Sequence, residues 1–311
     1  MPGAANATPS SLVDSKIAAL LARALGGSPA SGSLGGSVLV GDGLVVCPST
    51  RSCDSSRLTE YSRHDRPAVL FRSPLLGVSP ALTRWRDPVY LGRALAAHDC
   101  LEVAHSPAST VGGCVHGGRQ LSALLERSRR APCRWPSRHD YSYLFHEAMP
   151  GASSPGGRDS WRLLARDLPL PSLARLGSLA ERDLTVARLY AGAALTGSYL
   201  HWHAGALNYL AAGAKLWLVA PRSSSGGPLR RFTYGRVSNM STHRWLRSEL
   251  PTLLAVPRLA LFVQRAGEAV YVPPYAPHAV VNLEYNVGAT FTLKAAEPSL
   301  PVWLLASLFG G

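Results

Sequence analysis

The chain has 311 residues, 46% hydrophobic and 16% charged, with a formal net charge of +13. Such a composition buries a sizeable core and excludes a disordered chain, a collagen-like repeat or a coiled-coil rod. The charge excess says little about partners. Three lysines (Lys16, Lys215, Lys294) stand among 32 basic residues, the rest being arginine, which is a chain-wide bias more than a basic face. No specific nucleic-acid partner is expected, and no apolar run reaches the roughly 18 residues of a membrane-spanning helix.

In chain order, residues 1–62 are nearly charge-neutral. Ser11 to Leu25 predicts one amphipathic helix stopped by Gly26 and Gly27, and the Gly/Ser-rich stretch to Gly43 predicts a flexible linker. The first residues lack a basic n-region and Arg23 interrupts the apolar run, a poor fit to a secretory signal that leaves the compartment open. The five cysteines (Cys47, Cys53, Cys100, Cys114, Cys133) show no metal-site spacing, and their odd number leaves at least one unpaired within the chain. Arg66 to Phe71 predicts a short strand, and residues 80–130 predict short apolar helices alternating with turns. The basic stretch 127–139 predicts a solvated helix end and loop.

The second half is strand-like. Segments 185–190, 198–203, 215–220, 260–264, 269–272, 278–283 and 288–293 are short, apolar and punctuated by turn signals, with helical patches at 242–254 and 300–309. This predicts an all-β sandwich or barrel instead of βαβ units. GxGxxG, Walker A and GxSxG motifs are absent, which removes the usual support for nucleotide binding and α/β-hydrolase chemistry.

His201-Trp202-His203 is the chemical centre of the sequence. In a strand, residues i and i+2 share a face, so both imidazoles can turn to one metal while Trp202 packs behind them. Two hydrogen-bonded core histidines are the plainer alternative. His278 adds a third imidazole, at the end of a corner stiffened by Pro273, Pro274 and Pro277, where fixed φ angles hold a ligand in place. Trp202, Trp217 and Trp245 are expected in the core; Tyr143 and Tyr199 are candidates for the pocket wall, with buried packing the favoured role for each.

Residues 267–282 are similar to the second cupin motif, G-x5-P-x-G-x2-H-x3-N, with Tyr275 where that motif has its last glycine. Residues 200–221 resemble the metal-binding strand and following hairpin of the jumonji-C (JmjC) family, especially of cupin-like members sharing H-W-H, G-x-K-x-W and H-x-x-x-N-L. Arg66 to Leu70, Tyr143-Leu-Phe and the stretch from Trp245 to Glu268 extend the likeness over residues 63–296. The resemblance implies a mainly β fold, a double-stranded β-helix (cupin or jelly-roll barrel) with flanking α-helices. The organisation expected is an N-terminal helix and partly disordered linker over 1–62, the JmjC/cupin-like domain over 63–296 and a short apolar helix over 297–311.

The resemblance also implies Fe(II), or another divalent metal, and 2-oxoglutarate, used to oxidise a protein side chain. Metal ligands would be His201, His203 and His278, with His203 standing where the family has a carboxylate. Lys215 would pair with the distal carboxylate of 2-oxoglutarate and Ser198 would donate to it. Asn282, on the face of His278, would orient the site. The alternative is a catalytically inactive module of the same fold with a protein partner. The relatives suggest the endoplasmic reticulum lumen.

Overall fold

The computed structural model describes residues 38–40, 44–47, 68–96, 100–104, 113–131, 143–148, 155–176, 184–224, 253 and 255–293. The expected helices at 11–25 and 300–309, most of the 242–254 patch, and Trp245 lie outside them.

Eight strands make the barrel: β7 (Leu184–Gly192), β8 (Gly197–His201), β9 (Ala206–Ala212), β10 (Ala214–Val219), β11 (Ala260–Arg265), β12 (Ala269–Val272), β13 (His278–Asn282) and β14 (Asn286–Leu293). They divide between two facing sheets, in the orders β11-β10-β13-β8 and β12-β9-β14-β7, with antiparallel neighbours throughout and β10 followed by β11 within one sheet. The fold is therefore a double-stranded β-helix of the cupin or jelly-roll type. Further strands widen both sheets: β1 (Val38–Val40) joins β11, while β2 (Leu44–Cys47) and β3 (Ala68–Phe71) extend beyond β12. Beyond β7 come β6 (Tyr143–Ala148), β4 (Leu101–Ala104) and β5 (Gly113–Val115).

The stretch expected to be linker up to Gly43 is thus partly sheet, because the exposed edge of β11 pairs with Val38 and Val40. The apolar runs at 101–104, 143–148 and 206–212 are likewise strands that the sequence reading passed over.

Strand alternation sorts side chains into three apolar layers. The outward face of the larger sheet (Leu189, Ala191, Leu207, Tyr209, Ala289, Phe291) packs against the helices. These are α1 (Ala81–Arg84), α2 (Pro88–Ala94), α3 (Gly117–Arg130), α4 (Pro155–Asp167) and α5 (Leu170–Leu176). In α3 the buried residues Leu121, Leu124, Leu125 and Ser128 fall at i, i+3, i+4 and i+7, one stripe of a 3.6-residue helix. Asp87 caps α2 by accepting from the Val89 N–H, with Pro88 in the first turn. The outward face of the smaller sheet has its own core, around Leu216, Leu218, Leu261 and Val281. A third cluster, including Leu70, Trp217, Phe262, Val270 and Val280, fills part of the barrel interior.

Asp167, at the end of α4, knits the helical layer together. Its buried carboxylate accepts from Arg84 Nη1, Trp85 Nε1 and Arg166 Nε, each at 3.0 Å, and from the Tyr90 hydroxyl. These donors hold its pKa below the usual carboxylate range against the opposing effect of burial. A disulfide between Cys100 and Cys114 ties the β4–β5 hairpin.

Candidate metal centre

Register decides what faces the barrel interior. Across β10, β13 and β8 the paired residues form three inward rows: Lys215 with Asn282, Trp217 with Val280 and Ser198, and Val219 with His278 and His201. A register shift in β8 between Ser198 and His201 lets both face inward although they are three residues apart. The histidine row lies at one end of the barrel and the lysine row deeper.

β8 ends at His201, so the expected strand through 203 is two residues too long. His203 reaches the site from the following turn, where the Tyr275 N–H donates to its carbonyl at 2.8 Å. Two other things follow from the early end of β8. Trp202 is only half-buried, against the core placement expected, and its ring lies 6.0 Å from that of Tyr275. Tyr275 has φ +63°, a left-handed conformation costly for a residue with a Cβ, at the position where the cupin motif has glycine. Trp217 is in the core, 6.1 Å from His278.

The three histidines converge. Ring centroids are 4.2 Å apart for His201 and His278, 4.7 Å for His203 and His278, and 5.4 Å for His201 and His203. Their ligand nitrogens all lie within 4.8 Å of one another. Metal–nitrogen bonds of about 2.0–2.1 Å need slightly closer approach, within reach of small side-chain rotations. In each ring Nδ1 faces a main-chain carbonyl: Tyr199 for His201, Ala204 for His203 and Ala276 for His278. A carbonyl only accepts, so each Nδ1 carries the proton and each Nε2 keeps its lone pair. Burial, then the neighbouring histidines, pushes His278 well below its ordinary pKa; burial followed by His203 takes His201 down to about 3. Burial also lowers His203, with Arg188 adding repulsion. All three are neutral at pH 7, the state that binds metal.

Lys215 is 2% exposed. Its Nζ lies 3.3 Å from the centroid of the Tyr190 ring, with the Tyr143 hydroxyl at 3.4 Å. No carboxylate pairs with it among the described residues, and burial takes its pKa well below the ordinary value. Of the two pocket-wall candidates, Tyr143 thus has its hydroxyl on the lysine, whereas Tyr199 is buried packing in the outer core. Asn282 sits opposite Lys215; its Nδ2 donates to Thr196 Oγ1 at 2.7 Å and its buried Oδ1 has no partner. The amide therefore belongs to the lysine layer, while main-chain carbonyls orient the histidines. Ser198 lies in the middle row, between the two layers.

Several contributors carried no motif. Tyr190 supports Lys215 and is anchored through its hydroxyl on Asn208 Oδ1 and the Tyr209 carbonyl. Gly288 makes room for it, since a Cβ there would lie 2.1 Å from that hydroxyl. The alternation of β7 and β6 was the signal available for Arg188 and Glu147, which face inward near the histidine end and bond at 3.0 Å.

A jelly-roll barrel with three inward histidines at one end, close enough together to hold a metal ion, and a buried lysine behind them is an arrangement of the cupin type. Residues 188–292 match the family model described as JmjC domain, hydroxylase. That span starts at Arg188, ends one residue short of the end of β14 and contains all three histidines and Lys215. No curated protein matches the chain. No described helix is long and apolar enough to cross a membrane.

Proposed function

We propose that the chain is a metal-dependent oxygenase of the 2-oxoglutarate type, acting on a protein side chain through an all-histidine centre. The observation that carries this reading is the pairing of three neutral, metal-ready imidazoles with a buried lysine that lacks a carboxylate among the described residues. The donor set fits a divalent ion such as Fe(II): nitrogen ligands of borderline softness with fixed tautomers. The lysine layer fits the far carboxylate of a dicarboxylate, because Lys215, taking up a proton as the acid arrives, and the Tyr143 hydroxyl beside it can both donate to that group.

Bound together, Fe(II) and 2-oxoglutarate supply oxygen activation, with electrons from decarboxylation of the oxoacid. The protein's part is positional. His201, His203 and His278 would hold the ion; Lys215 would anchor the dicarboxylate, with Ser198 beside its path. Trp217, Val280 and Phe262 keep water from the interior. Three neutral ligands leave the ion one unit more positive than a site with one carboxylate, which strengthens its hold on an anionic chelate.

One specific observation favours a second reading, an inactive binding module: none of the eight barrel strands carries an acid, so nothing on them replaces the missing carboxylate. Metal analysis together with a succinate-release assay tests both. The enzyme reading expects about one divalent ion per chain, lost in His278→Ala, and succinate from 2-oxoglutarate. A wild type and a His203→Asp variant that both bind metal yet release no succinate would leave the module. The H-W-H, G-x-K-x-W and H-x-x-x-N-L elements extend the proposal to a likeness with jumonji-domain-containing protein 8. The Cys100–Cys114 disulfide supports an oxidising compartment.

A further inference from the structure

The deep layer of the barrel holds an amine placed to react as well as to bind. Lys215 is 2% exposed, and burial moves its pKa well below the ordinary value, which favours the uncharged form. A neutral amine has two N–H bonds and one lone pair. Two acceptors flank Nζ: the face of the Tyr190 ring, with its centroid 3.3 Å away, and the Tyr143 hydroxyl oxygen at 3.4 Å. They account for the two hydrogens and leave the lone pair uncommitted, the condition for a lysine nucleophile.

The groups around the amine complete a site for addition to a carbonyl. Tyr143 brings a hydroxyl that burial keeps protonated, a proton donor within reach of Nζ. Opposite Lys215 in the strand register, Asn282 Oδ1 is buried and accepts no hydrogen bond. Thr196 gives its proton to the Ala193 carbonyl and accepts from Asn282 Nδ2, so the amide is fixed with its oxygen as the orphaned end. Such an acceptor is satisfied by a ligand O–H. The way in is from the histidine end: Ser198, His201, His203 and Thr290 face the interior, and each is only partly buried.

We propose that Lys215 captures a small uncharged aldehyde as an imine, with Tyr143 as proton donor and Asn282 Oδ1 as acceptor for the hydroxyl of the intermediate. The Nζ lone pair adds to the carbonyl carbon, the C=O π pair moves to oxygen, and that oxygen takes the Tyr143 proton. The phenolate recovers a proton from the nitrogen, leaving a carbinolamine whose O–H donates to Asn282. The nitrogen lone pair then expels the hydroxyl, which departs as water with the Tyr143 proton, and the iminium N–H returns that proton to Tyr143. Aldehyde and amine give imine and water, with no change of oxidation state. The ligand is uncharged because a carboxylate stabilises the protonated amine and so removes the lone pair. The inference goes beyond the oxygenase reading and does not rest on it.

The test treats the full chain, metal-free and at pH 7, with propanal and cyanoborohydride, which reduces an imine to a stable propyl-lysine, and locates the label by peptide mass spectrometry. Lys16 and Lys294, the other lysines of the chain, are the internal references, since an ordinary lysine is almost wholly ammonium at this pH. Lys215 is expected to label faster than either by roughly tenfold or more, and urea-unfolded protein to lose that preference. Tyr143→Phe keeps the ring without the proton and should slow labelling of Lys215 by roughly tenfold or more, leaving the references as they were. If that variant does not fold, the wild-type comparison decides. Labelling of Lys215 no faster than the references in the folded chain, or as fast in Tyr143→Phe as in the wild type, would overturn the proposal. Zn(II) with saturating 2-oxoglutarate should shield Lys215. Preferential labelling that they do not slow would overturn the dicarboxylate anchor of the oxygenase reading and leave the aldehyde site standing; a chain that binds 2-oxoglutarate in calorimetry but shows no preference for Lys215 would do the reverse.

Discussion

Lys215→Met is the substitution that most directly probes the deep layer of the barrel. The wild-type Lys215 amine is buried, faces the Tyr190 ring and has no described carboxylate partner. Its pKa is therefore depressed in the folded state, while in the unfolded chain it keeps its ordinary value near 10.4. Between those two values the unfolded chain binds a proton that the folded chain does not, so stability rises with pH and is lost as pH falls. The slope approaches about 1.4 kcal/mol per pH unit for one such group, so about 2.7 kcal/mol separates pH 7 from pH 9 at most. Tyr143 and Tyr190, raised above 10 by burial, stay protonated in both states over this window and contribute no slope. Methionine fills a similar volume and does not titrate. Urea denaturation of metal-free protein at pH 7, 8 and 9 should show the wild type gaining stability with a gradient that Lys215→Met lacks. Parallel gradients would refute the reasoning, because they would mean that the folded protein keeps Lys215 charged.

Three further outcomes follow from the geometry. Asp167→Ala removes the acceptor shared by Trp85, Tyr90, Arg84 and Arg166; it leaves the buried Trp85 N–H without a partner and should cost about 1–3 kcal/mol in chemical denaturation, with any metal stoichiometry unchanged in the protein that remains folded. Gly288→Ala drives a methyl against the Tyr190 hydroxyl and the Tyr209 carbonyl. It should destabilise by about 1–3 kcal/mol and, if the proposed oxygenase reading holds, weaken 2-oxoglutarate binding, read by calorimetry, more than metal binding. Cys114→Ser opens the loop closed by the disulfide with Cys100. By the chain-entropy account this loses about 3 kcal/mol, and peptide mapping of the non-reduced wild type should recover the two cysteines linked.

The barrel was legible where apolar runs were short and bounded by glycine or proline. Segment 269–272 matches β12 residue for residue, and the other six expected strands each overlap an observed one. β9 escaped because both its faces are buried and mostly apolar, with all seven residues buried, so it has no period-two pattern to read. The histidine triad was readable as residue types. The route to it was not: the i, i+2 argument requires an unbroken strand through 203, whereas β8 ends and the turn delivers His203. Tyr275 was visible as a departure from glycine, but its left-handed backbone and its tie to His203 depend on the folded corner. Tyr190, Thr196 and Arg188 became members of the site through cross-strand register, which a single chain read linearly does not display.

The way the three imidazoles are aimed has a consequence for how this centre can change over time. Their partners are oxygens of Tyr199, Ala204 and Ala276 that belong to the peptide unit itself, and a point substitution exchanges a side chain without deleting such an oxygen. Neighbouring side chains can thus be exchanged, for alanine or arginine among others, while the rings keep their tautomers and their aim. Loss of the ligand set would require a histidine to mutate or the local chain path to be rebuilt.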